Sequence, residues 1–185
     1  VGCNESSATI EFPVDRIDAE IRAELKGIGV NFREPDPREL DSEPNELVGI
    51  GGSSIYDGVE AKITDGIFLL HDSQSCYGEF SDLEEKLQEK GIPFDRESAM
   101  DWGVDPVIRV FRPGVGDKYI PLDANQTPTV AVEKIRELLA IDDAGEKAAA
   151  AIRRYLDDEF NYPPLADFVA DFDGTEGQDR ESYRA

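Results

Sequence analysis

The sequence predicts an α+β fold: a mixed or antiparallel sheet packed against helices, followed by a loose acidic C-terminal tail. Three observations carry this. Apolar runs of strand type interleave with apolar stripes at helical spacing, a Pro113-Gly114 turn joins two strand-like segments, and no internal repeat is present. The expected organisation is a flexible N-terminus at 1–11, one α+β domain at 12–165 with a long irregular segment at 31–62, and an acidic tail at 166–185.

The first helix is expected over Val14 to Lys26. Ile17, Ile21, Leu25 and Ile28 recur there as one apolar stripe, and Gly27 and Gly29 stop it. Pro35, Pro37 and Pro44 then forbid a continuous helix, leaving Glu46 to Ile50 as a short strand within an irregular stretch. Ile67-Phe68-Leu69-Leu70 is a continuous apolar run suited to a strand covered on both faces, and Asp72 to Phe80 follows as a loop. Ser81-Asp82-Leu83-Glu84 reads as a capping box that opens a helix to Lys90, closed by Gly91 and Pro93. Ile92 to Arg96 begins another strand.

Val107 to Arg112 and Lys118 to Leu122 form the expected hairpin. Thr127-Pro128 opens a helix whose Val132, Ile135, Leu138 and Leu139 share a face. After Gly145 a second helix points Ala148, Ile152, Tyr155, Leu156 and Phe160 inward. Asn161-Tyr162-Pro163-Pro164 ends it.

The 185 residues hold 41 Asp+Glu against 19 Lys+Arg, a formal charge of −22. A basic nucleic-acid-binding patch does not fit that balance. Two cysteines and one histidine exclude a disulfide framework and a polyhistidine metal site. No stretch reaches the roughly 18–20 apolar residues of a membrane span. Acidity of this size fits ordinary colloidal repulsion, adaptation to high salt, imitation of nucleic acid, or a cation store. The carboxylates are spread along the chain, so a disposable tail does not account for them. The two cysteines fit a reducing compartment, and a Cys3–Cys76 bridge would mainly tether the N-terminal end. A cytoplasmic location is expected. The alternative is a lipid anchor through Cys3, with Val1-Gly2-Cys3 as the remnant of a processing site.

Asp171-Phe172-Asp173-Gly174-Thr175, after Phe168-Val169-Ala170, resembles the first motif of haloacid-dehalogenase-like phosphotransferases. The resemblance implies Asp171 as nucleophile and Asp173 as acid/base, with Mg²⁺ between them. That family draws its lysine and second acidic pair from a downstream α/β domain, whereas ten residues follow Thr175 here. The segment therefore reads as an acidic turn. It also fails as a calcium loop, since alignment on Gly174 puts Arg180 where the bidentate Glu belongs.

His71, Ser73, Ser75 and Cys76 lie close in sequence, but no oxyanion-hole pattern accompanies them, and His71 reads as a strand-end histidine. Gly49-Ile50-Gly51-Gly52-Ser53-Ser54 lacks the spacing and lysine of a phosphate loop and reads as a turn. Arg109 shares a strand face with Val107 and Phe111, so it is expected to be partly covered and paired with a carboxylate. Trp102, the one tryptophan, is a contact candidate.

The carboxylates carry the remaining signal. Asp82, Glu85 and Glu89 fall on one helical face, with Lys86 neutralising part of it. Asp142, Asp143 and Glu146 form a second group, and Asp157 and Asp158 a third, with Arg153 and Arg154 one turn before it. The expected function is that of an acidic binding or inhibitor protein, without cofactor or metal. It would engage a basic, nucleic-acid-binding partner through these residues and Trp102, in the manner of a DNA mimic. The alternative is a salt-adapted acidic enzyme, a metal-dependent phosphoryl hydrolase using Asp171 and Asp173.

Overall fold

The computed structural model describes residues 5–30, 32, 58–99, 105–140 and 145–169. Their order is β1 (Glu5–Pro13), α1 (Ala19–Ile28), β2 (Val59–Thr64), β3 (Ile67–Cys76), α2 (Ser81–Glu89), β4 (Phe94–Ser98), β5 (Val107–Arg112), β6 (Gly116–Pro121), α3 (Val132–Leu139) and α4 (Glu146–Phe160). The six strands form one sheet in the order β2-β3-β1-β4-β5-β6, antiparallel throughout. The fold is α+β, as the interleaved patterns predict.

Strand β1 lies inside this sheet, between β3 and β4. The expectation of a loose segment over 1–11 is therefore wrong for the residues from Glu5 onward. Ser6, Ala8, Ile10 and Phe12 alternate inward and are buried. Two of them are small, which hid the period of two, and the Ser6 hydroxyl is satisfied by donating to the Ala99 carbonyl at 2.8 Å.

One face of the sheet carries the core. Ile10, Phe12, Phe68, Leu70 and Phe94 meet Ile21 and Leu25 of α1 and Leu83 and Leu87 of α2. Each such side chain contributes about 1.5–3 kcal/mol on full burial. Helix α1 starts later than its stripe suggests. Val14–Arg16 is a 3-10 turn, and Asp18 is the N-cap, its Oδ1 accepting from the Glu20 and Ile21 amides at 3.0 Å each. Gly29, at φ 109°, closes the helix in the left-handed region that a side chain disfavours.

The capping box expected at α2 forms only by half: Glu84 reaches back, but to the Phe80 amide, and no N-cap side chain accepts an amide in return. Phe80 is the N-cap, its amide donates to Glu84 Oε1 at 2.8 Å, and the Ser81 hydroxyl donates to Glu79 Oε2 at 3.2 Å. Glu84 is drawn toward the sheet by arginines that local sequence does not reveal. Strand β3 continues through Cys76, so most of the expected 72–80 loop is strand, paired with β1 up to Glu5↔Cys76.

On the opposite face α4 crosses β6, and Val110, Ile120 and Ala148 are buried. Helix α3 begins at Val132, after Pro128 has bridged to Leu122. None of its residues is buried, and it packs chiefly on α4. Leu156 of α4, expected inward, is 37 % exposed. The body extends past the expected boundary at 165: Leu165–Phe168 is a 3-10 turn with Leu165 buried, and Val169 packs against Gly66. A Cβ at Gly66 would run into the Val169 side chain, and its φ of +75° favours glycine as well.

Candidate functional site

The sheet takes three arginines out of the surface. Arg96 on β4 is 1 % exposed and Arg112 on β5 is fully buried. Arg109, beside Arg96 in the register, is largely covered. Arg109 lies against Glu84 Oε2 and grips Asp117 of β6 with Nε and Nη2, the latter at 2.7 Å. Burial works against its charge, but the bonds to Asp117 and Glu84 outweigh that and push its pKa up. Arg96 Nε stands 3.3 Å from Glu84 Oε1, within ion-pair range but without the alignment of a hydrogen bond. Arg112 holds both oxygens of Asp95, at 2.7 and 2.9 Å, and donates to the Pro163 carbonyl at 2.7 Å. The expectation that Arg109 is covered and paired is met.

The carboxylates singled out in the sequence fall on two layers. Asp82 and Glu85 are exposed on α2, with no base in ion-pair range among the described residues. Glu89 bonds Lys86 at 2.8 Å, which lowers the Glu89 pKa and raises that of Lys86. Helix α2 lies on the core face, where Gln88 Nε2 donates to Asp117 Oδ2 of β6 at 2.9 Å. Glu146, Asp157 and Asp158 are exposed on α4, beside the other face. Arg154 Nε approaches Asp158 at 3.6 Å, while Arg153 and Asp157 have no ion-pair partner among the described residues. The Lys118 ammonium of β6 donates to the Asp158 backbone carbonyl. The two acidic groups thus stand on opposite sides of the sheet and both border β6. Trp102, Asp142 and Asp143 lie outside the described residues, as do the 49–54 glycine run, Asp171 and Asp173.

A second acidic feature was not visible in the sequence. On the face away from α1 and α2, Thr9, Glu11, Asp95, Glu97, Ile108 and Tyr162, together with Arg96, line a groove of about 350 Å³. Strand pairing sets Glu11 directly opposite Asp95 and Thr9 opposite Glu97. Asp95 is neutralised by Arg112, whereas Glu11 and Glu97 have no ion pair among the described residues. Burial first, and then the Asp95 charge, raise the Glu11 pKa, with Lys62 opposing. Residues from three elements meet here, and the only local clue was alternation within β1 and β4.

His71 Nδ1 hydrogen-bonds Thr9 Oγ1 at 3.1 Å, and the Ser75 hydroxyl donates to the Glu79 carbonyl at 2.6 Å. Cys76 is disulfide-bonded, so the expectation of reduced thiols does not hold for it. Ser75 and Cys76 are therefore engaged elsewhere, and the hydroxyl that meets His71 is that of Thr9. Among the described residues, no group of three His, Cys, Asp or Glu is placed to hold a metal ion, and no helix is long and apolar enough to cross a membrane. Comparison of the chain with protein-family models, curated proteins and solved structures finds no match.

Proposed function

We propose that this chain is an acidic binding protein that engages a basic, nucleic-acid-binding protein through carboxylates on its surface and blocks the groove meant for phosphates. One observation carries the reading. Arg96, Arg109 and Arg112 are committed to the interior, while Asp82, Glu85, Glu146 and Asp157 stand exposed without an ion-pair base among the described residues. Within a chain of net −22, this leaves surface carboxylates free for an external cation. Duplex DNA carries one charge per about 1.7 Å of axis, so a protein this acidic competes with a short duplex on total charge. Complementary potential of this kind speeds encounter and selects partners more than it adds affinity.

The test is capture of basic proteins from lysate on the immobilised chain at low and high salt, followed by elution with short duplex DNA. Retention of a nucleic-acid-binding protein at low salt, its release by duplex, and loss of retention in the Asp82→Asn, Glu85→Gln, Asp157→Asn triple variant are expected. Failure to retain any basic protein at either salt level removes the proposal.

A further inference from the structure

We infer that edge strand β6 receives an extended basic segment of the partner as an added strand. This rests on the basic-partner reading above and specifies where and how the contact is made. Among the described residues, strand β6 ends the sheet and pairs with β5 alone. The Leu122 amide donates to the Pro106 carbonyl at 3.0 Å, toward β5, whereas the Pro121 carbonyl accepts from Thr129 at 2.8 Å on the outer side. Alternation then turns the N–H and C=O of Asp117 and Tyr119 outward. Exposed edges of this kind are templates for another strand unless they are guarded, often by lysine. Lys118 does not guard this one, because its ammonium is bound to the Asp158 carbonyl of α4.

The flanks decide what kind of strand fits. Glu85 lies three residues before Gln88, so it shares the flank of α2 that Gln88 anchors to Asp117. On the other side, the last turn of α4 holds Asp157 and Asp158 and no basic residue. A helix C-terminus already carries partial negative charge, so acids there disfavour the chain alone and favour an incoming cation. An added strand sends alternate side chains to opposite faces. Arginine or lysine on one side meets Glu85, and on the other meets Asp157. Tyr119, 50 % exposed and held by Arg109 at 5.2 Å from its ring centroid, offers a fixed aromatic beside the edge. The opposite edge, β2, exposes Lys62 beside Glu60, whereas the Lys118 ammonium of β6 is tied to the Asp158 carbonyl of α4.

The test titrates isotope-labelled protein with a short peptide alternating arginine and valine, with a glutamate–valine peptide as control. Binding of the basic peptide alone, with new hydrogen-exchange protection at the Asp117 and Tyr119 amides, is expected. Tyr119→Pro removes one outward donor and weakens binding about tenfold. Asp157→Lys, which leaves the strand untouched, weakens it by a similar factor. If the basic peptide binds without protecting those amides and both variants bind as the parent does, the edge is not the site and the basic-partner reading survives. If the basic peptide does not bind at all, both fall.

Discussion

Glu84 and Arg109 join α2 to β5 through an ion pair in which the carboxylate is 1 % exposed. Glu84 also accepts from the Phe80 amide at 2.8 Å and lies 3.3 Å from Arg96 Nε. One side chain therefore caps a helix and compensates two arginines inside the protein. Such a hub is weak evidence for extra stability over an apolar core, but removing one member leaves buried charge uncompensated.

Glu84→Ala is accordingly expected to cost about 3–5 kcal/mol, more than the about 1 kcal/mol of a lost cap alone. Urea unfolding measures it. A loss confined to the capping value would show that Arg96 and Arg109 find other partners.

Arg112 makes the corresponding connection on the other face. It binds Asp95, the Phe94 and Pro163 carbonyls, and lies 5.6 and 5.8 Å from the Tyr162 and Phe168 ring centroids. Arg112→Met is expected to destabilise by about 3 kcal/mol and to speed hydrogen exchange in residues 161–169 before the sheet opens. Uniform exchange across the whole chain would contradict this.

Glu11 sets a pH dependence. Its folded-state pKa is raised by burial and by Asp95, so over the interval just above the ordinary carboxylate value the folded form holds more protons than the unfolded form. Stability therefore falls as pH climbs through that interval, and the penalty persists at neutrality. Glu11→Gln should raise Tm at neutral pH and leave it unchanged in acid below the ordinary carboxylate pKa. Thermal unfolding followed across pH checks the sign.

Lys90 ties the end of α2 to the start of α1, at 2.8 Å from Asp18 and 2.6 Å from Glu20. Those bonds push its pKa up to about 12 and lower that of Asp18. The stabilisation is fully present below the ordinary lysine pKa of about 10.4 and is lost as pH rises toward the folded value. Because the pair is exposed, Lys90→Met should lower Tm at low ionic strength, with the difference closing in molar KCl. A salt-independent difference would assign the effect to packing of the lysine stem.

Local pattern made several elements legible. Stripes and stops announced α1, α2 and α4, and the Pro113-Gly114 turn announced the β5–β6 hairpin. Elements whose identity depends on distant neighbours were misread. Residues 5–11 look loose because Ser6 is polar and Ala8 is small, yet pairing on both sides makes them central. The stripe of α3 reads as a core face, yet Val132 and Leu139 are 58 % and 53 % exposed, because apolar spacing does not say whether a surface exists to cover it.

The sequence by itself determined the sign and excess of charge, the α+β class and the carboxylates on α2 and α4, since these follow from residue identity and short-range period. Only the tertiary structure decided which bases are withdrawn to the interior and which acids remain facing water. It also decided that Glu11 meets Asp95 and that two acidic helices on opposite layers border one edge strand. Those relations join residues far apart in the chain, and strand order and register, which no local periodicity encodes, bring them together.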